Sequence, residues 1–333
     1  MPLVRNLIDS ASTRVQEVAR VRRPGRSPSQ APRPSARLRP SVQPEILLTL
    51  SAGSVRPLLA ARDPRCPDIL AVPQFVATDL GLRGLNLPTD LLAGFGLMEL
   101  DRLRDAADRA HCPVLLLSEE TPIDFAERGP SWTKSLDRIK RVAVAANRLG
   151  CPAIAVRARG EDTEERFEAT AAGVKSAVKE IERYDLNLLL APSAGITFVA
   201  QRLTELIKKV GGFRIGSYPS FEHAFESGDL ENTLRKLAPY APAIAASVRG
   251  FAKDGTHIDY SLEACVESVR SVGYGNTLAL DLVVASASAP AAGGRKSARK
   301  ITAEDIVADI DRARRQLELA TVEAEMALED EEE

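Results

Sequence analysis

The chain has 333 residues, 44% apolar and 27% charged, enough for one large α/β domain or two small ones with a sizeable core. Its 44 Lys and Arg against 46 Asp and Glu leave a net charge of −2, which speaks against a uniformly basic nucleic-acid-binding surface, so no nucleic-acid partner is expected. Cys66, Cys112, Cys151 and Cys265 contain no C-x-x-C pair, and three His are too few for a zinc-finger or multinuclear pattern.

The charge is unevenly spread. Residues 1–43 carry nine Arg against Asp9 and Glu17, whereas residues 323–333 carry seven acids and no base. At 100° per residue, Leu3, Val4, Leu7, Ile8, Ala11, Val15, Val18, Ala19 and Val21 share an arc of about 160°, so residues 1–21 read as an amphipathic helix. Its basic flank of Arg14, Arg20, Arg22 and Arg23 suits a protein partner or a membrane surface. Residues 22–44 hold six prolines among Ser, Arg and Ala and are predicted to be a disordered linker. No run approaches the roughly 18 apolar residues of a membrane span. A cytoplasmic protein is expected, with organellar or microcompartment targeting through residues 1–44 left open.

From residue 45 to 320 a pattern repeats: a short apolar run, a polar turn, then a segment of helical period. Strands are predicted at 46–51, 82–87, 113–118, 152–157, 186–191, 213–217, 243–248 and 277–282. Helices are predicted at 67–80, 99–110, 135–149, 163–184, 197–210, 229–238, 261–272 and 302–320. Eight βα units over about 275 residues match an α/β fold of the (β/α)8 TIM-barrel kind. A doubly wound open sheet is the rival, but Ser51-Ala52-Gly53-Ser54 is not the Gly-rich phosphate turn that such a sheet carries after its first strand. The Ala/Gly/Ser/Pro stretch 285–294, followed by Arg295, Lys296, Arg299 and Lys300, reads as an insertion after strand eight. Residues 321–333 read as an acidic tail.

Several phrases carry a family likeness: LGLRGLNLP (80–88), SLDRIKRVAVAANRLGCPAIAVR (135–157), NLLLAPSAGIT (187–197), FRIGSYPSFEHA (213–224), IAASVRGF (244–251) and VGYGNTLALD (272–281). In this order they resemble the xylose-isomerase-like TIM-barrel superfamily, which includes sugar-phosphate isomerases and epimerases and an apurinic endonuclease branch. The resemblance implies one divalent cation at the strand C-termini, held by Glu on strand five, Asp and His after strand six, and Glu on strand eight. Those positions here are Ala191, Tyr218, Phe221 and Asp281, and a strand-seven His position is Ser247. One carboxylate alone cannot hold a catalytic divalent ion, which needs about three or more protein ligands or bound substrate oxygens in their place, so no metal ligands and no cofactor are expected.

A barrel builds its site from strand ends and βα loops. There Glu119 or Glu120 facing Asp281 would form an acid/base pair working without metal. Asn86, Arg157, Arg159, Tyr218, Ser247, Arg249 and His257 are candidate ligand-binding groups, the three Arg suiting a phosphate, sulfate or carboxylate. His223 and His257 are placed in loops after strands six and seven. Two functions follow. One is a metal-independent sugar isomerase or epimerase binding a small polyol, sugar or sugar-phosphate-like ligand. The other is a non-catalytic pseudoenzyme, a binding or scaffold protein docking through its N-terminal helix. A homo-oligomer fits either.

Overall fold

The computed structural model describes residues 45–283 and 302–332; the predicted helix 1–21, the linker 22–44 and the insertion after strand eight lie outside the described residues. All eight predicted strands form: β1 (Leu47–Ser51), β2 (Leu85–Pro88), β3 (Val114–Ile123), β4 (Ala153–Ala158), β5 (Asn187–Ala191), β6 (Ile215–Ser217), β7 (Ala243–Val248) and β8 (Thr277–Leu282). They pair in parallel in the order β6-β5-β4-β3-β2-β1-β8-β7. Between β6 and β7, at the two ends of that order, closure is a single bridge, Ser220 to Ala245, with the Ala245 N–H donating to the Pro219 carbonyl at 2.9 Å. Pro219 has no N–H to give, and β6 spans three residues, so this junction cannot become a ladder.

The helices are α1 (Arg56–Ala61), α2 (Val72–Thr78), α3 (Leu97–Arg109), α4 (Gly129–Leu149), α5 (Glu164–Ile181), α6 (Ala200–Val210), α7 (Phe221–Glu226), α8 (Leu230–Leu237), α9 (Leu262–Arg270) and α10 (Ala303–Glu332). Strand alternation sorts the core into two layers. Ile154 and Val156 of β4, Leu188 and Leu190 of β5, and Leu278 and Leu280 of β8 turn outward and are buried in one large cluster beneath the helices. Inside the barrel a much smaller cluster of Leu116, Ala153, Ala155 and Leu189 packs against Tyr218. Two alanines in that layer fill little space, which leaves the upper barrel open as a cavity.

Besides α1, which forms where no helix was predicted, the structure departs from the sequence reading in three places. β3 runs on to Ile123, so Glu119 and Glu120 are strand residues and not loop acids. A short helix, α7, forms where a loop was expected, because the Ser220 hydroxyl accepts the His223 N–H as an N-cap. The final helix, expected to end at 320, continues through the acidic stretch to Glu332, since buried Ile306, Ile310, Ala313, Leu317, Ala320 and Ala324 keep a helical spacing. The four cysteines are all buried and free. Burial pushes the Cys66 thiol up to about 11 and those of Cys112 and Cys151 up to about 12, away from nucleophilic chemistry. Among the described residues no helix is long and apolar enough to cross a membrane.

Candidate functional site at the barrel mouth

The C-terminal ends of the strands surround a cavity of about 650 Å³, a size that holds a small ligand. β1 contributes Ser51, β3 Ser118 and Glu120, β4 Arg157, β5 Ala191, β7 Ser247 and β8 Asp281, while Tyr218 follows β6. The register sets Ser247 directly beside Asp281 and Arg157 beside Ala191. Thus Asp281, Glu120, Arg157, Tyr218 and Ser247 meet in one place.

The ionisation of Asp281 is disturbed by its surroundings. Burial raises its pKa, the Ser51 hydroxyl that donates to it pulls the other way, and Glu120 and Glu222 raise it further. A carboxyl that holds its proton more tightly than usual is a candidate general acid or base. Burial, with Asp281 nearby, likewise raises the Tyr218 phenol, so Tyr218 stays protonated. One layer lower, the Asn86 side-chain N–H donates to the Tyr218 hydroxyl at 3.3 Å. Asn86 is therefore a support for Tyr218 and lies beneath the cavity lining.

The two neighbouring glutamates go separate ways, as the period of a strand requires. Glu120 faces the mouth, where Arg157 donates to it at 2.7 Å and 3.0 Å. Glu119, 4% exposed, sends its carboxylate toward α4, where it accepts from Arg138 at 2.8 Å, Thr89 at 3.2 Å and the Thr121 N–H at 2.8 Å. Glu119 thus accepts three hydrogen bonds, one of them from a guanidinium. Removing its partner by Arg138→Ala is expected to lower stability by about 1–2 kcal/mol, because a buried carboxylate loses a charged donor that is itself part exposed; urea unfolding of the two proteins measures it.

Three predicted ligand-binding groups stand outside the mouth. Arg159 is exposed and lines a separate cleft with Asp124, Arg166 and Gly195. Arg249 is held by Glu222 at 2.9 Å, Glu226 at 2.9 Å and Asp259 at 3.3 Å; burial lowers its pKa, but these carboxylates outweigh that and raise it. His257 staples the loop after β7: its Nε2 accepts the Arg249 N–H at 3.0 Å, so its Nδ1 carries the proton and donates to the Tyr260 carbonyl at 2.9 Å. Burial lowers its pKa, which keeps it neutral. His223 lines the mouth from α7, its Nε2 donating to the Phe198 carbonyl at 2.7 Å.

Sequence reasoning missed Arg56, Glu222, Glu226 and Phe198, all of which line the cavity. Arg56 opens α1 and pairs with Asp90 through two hydrogen bonds, one of 2.8 Å. No local signal joins Arg56 to Asp90; only the pairing of β1 with β2 does.

At the positions where the resemblance implies metal ligands, the mouth supplies few donors. Ala191 offers a methyl, Tyr218 a protonated phenol, Phe221 an apolar ring and Ser247 a hydroxyl, leaving Asp281 as the one anionic donor among the five corresponding positions. Glu120 already answers Arg157. Among the described residues no group of three or more His, Cys, Asp or Glu side chains is placed to hold a metal ion.

No protein-family model matches the sequence, and no curated protein matches it. Solved structures do. L-ribulose 3-epimerase superposes with a TM-score of 0.67 at 14% identity, over 85% of this chain and 97% of that one. D-psicose 3-epimerase from Clostridium cellulolyticum H10, solved with D-tagatose, gives 0.62 at 12% identity over 76% and 94%. A xylose isomerase domain-containing protein from Salmonella typhimurium gives 0.60 at 14% identity over 81% and 96%. These likenesses agree with the sheet order and the strand count: the chain folds as a (β/α)8 TIM barrel, similar to these structures.

Proposed function

We propose that the barrel mouth binds a small polyhydroxylated, sugar-like ligand without a resident divalent ion, and that Asp281 carries the proton in an isomerase- or epimerase-type step. One observation carries the reading. Asp281, with its raised pKa, sits in a cavity whose lining includes the hydroxyls of Ser51, Ser118, Ser193, Ser220, Ser247 and Tyr218 and the guanidinium of Arg157, beside the carboxylates of Glu120, Glu222 and Glu226. Such a lining offers a polyol donors and acceptors on every side. Two of the similar folds are sugar 3-epimerases, which supports the ligand class. A non-catalytic binding role is the second reading, favoured by the pairing of Glu120 with Arg157, which leaves Asp281 without a second unpaired acid.

Calorimetric titration of the full chain with ketoses, aldoses and their phosphates, with and without a chelator, tests the proposal. The expected result is 1:1 binding of at least one sugar, unchanged by chelation. Binding that vanishes with chelator and returns with Mn²⁺ would overturn the metal-free reading, and no binding across the panel would overturn the ligand class. Turnover of the bound sugar separates the catalytic reading from the binding one.

A further inference from the structure

The charged groups of the mouth are out of balance. Its lining holds five carboxyls, of Glu119, Glu120, Glu222, Glu226 and Asp281, against two guanidiniums, of Arg56 and Arg157. Both guanidiniums are already paired, Arg157 with Glu120 and Arg56 with Asp90. A phosphate entering here would have to displace a carboxylate from either of them.

The surplus of acid lies on the wall that α7 supplies. Glu222 and Glu226 stand four residues apart and so project from one face of the helix, where like charges repel. One guanidinium, that of Arg249, answers both and Asp259 besides. It reaches the Oε1 atom of each glutamate, which leaves the second oxygen of each to accept from a ligand. His223, on the same turn of α7, is 7% exposed. Its Nε2 donates to the Phe198 carbonyl and burial lowers its pKa, so its Nδ1 is a neutral acceptor, buried and without a donor. Phe198 lines the cavity beside it, the two rings perpendicular with centroids 5.2 Å apart, and an aromatic ring attracts a cation. An ammonium group, with three N–H to donate, suits such a wall. A divalent ion would need oxygen donors on every side, and among the described residues no three His, Cys, Asp or Glu side chains are placed to hold one.

We propose that the ligand of the mouth is an amino-substituted polyol, its ammonium group seated against Glu222, Glu226 and His223 and its hydroxyls reaching the serines and Asp281. This rests on the reading of the mouth as a polyol site and adds the charge of the ligand to it.

Calorimetric titration of the full chain in low salt, with EDTA present, tests it. The first set of probes is D-fructose, 1-amino-1-deoxy-D-fructose and D-fructose 1-phosphate; the second is D-glucose, 6-amino-6-deoxy-D-glucose and D-glucose 6-phosphate. In at least one set the amino sugar is expected to bind at least about tenfold tighter than its neutral parent, and the phosphate more weakly than the parent. The gain should shrink as salt is added. Glu222→Gln with Glu226→Gln in one chain, shown to be folded by circular dichroism, should bring the amino sugar to within about twofold of the parent. A parent that binds as tightly as its amine, or a phosphate that binds tightest, overturns the charge of the ligand and leaves the polyol site standing. A preference for the amine that survives the double variant overturns its seat on α7. Failure of all six probes to bind overturns both readings together.

Discussion

Asp281→Asn is expected to lower any turnover at the barrel mouth by about 10²–10⁴-fold while making the protein more resistant to heat at neutral pH. Both effects come from one cause. Burial lifts this carboxyl above its ordinary range, so the folded chain holds the proton more tightly than the unfolded chain does. The stability linked to that proton is complete below about pH 4 and is lost as pH rises through the elevated folded value. Asn carries no charge to desolvate, so the variant escapes the loss. Calorimetric melts across about pH 4–8 should show the variant's curve above the wild type at the alkaline end, with the gap narrowing as acid is added. A gap that widens on acidification would mean that Asp281 is stabilised as an anion, and undiminished turnover would remove it from the chemistry.

Gly173→Ala is expected to lower stability by about 3 kcal/mol, although alanine is the better helix former by about 1 kcal/mol. Gly173 lies inside α5, and a Cβ there would come within 2.0 Å of the Phe125 carbonyl oxygen. That oxygen belongs to backbone, so relief requires the helix or the segment after β3 to shift. Phe125 is buried and its ring sits 5.9 Å from that of Trp132, so the shift would also disturb the start of α4. Urea unfolding measures the loss; an unchanged midpoint would show that α5 moves freely on the barrel.

The architecture was legible because each strand is an apolar run whose neighbours are polar, and eight such runs at this spacing leave few folds open. What the sequence concealed is pairwise. Glu119 and Glu120 look like loop acids when read singly; as partners of Arg138 and Arg157 they extend β3 by satisfying charge on either side of it. Asp281 was recognisable at the end of its strand, since a lone acid after Leu278, Ala279 and Leu280 breaks an apolar run. Arg249 and His257 resembled ligand groups by position. Which carboxylates and carbonyls would claim them is decided by α7 and the loop after β7, elements whose packing no local pattern records. The end of α10 was hidden for the same reason, because acids in a row look solvated until the buried Ala320 and Ala324 beneath them are known.

Seven strand junctions of the barrel are hydrogen-bonded ladders, and the eighth is the bridge at Ser220 and Ala245. Thermal opening concentrates where the fewest bonds must break together. Ser220 also caps α7, which carries His223, Glu222 and Glu226 on the cavity wall. Hydrogen exchange should therefore start at the Ala245 amide, and with each such excursion one wall of the mouth swings while the Asp281 side stays fixed by its paired strands. Breathing of the fold and widening of the entrance are then a single motion, and a ligand that spans from Asp281 to α7 would act as the missing ladder.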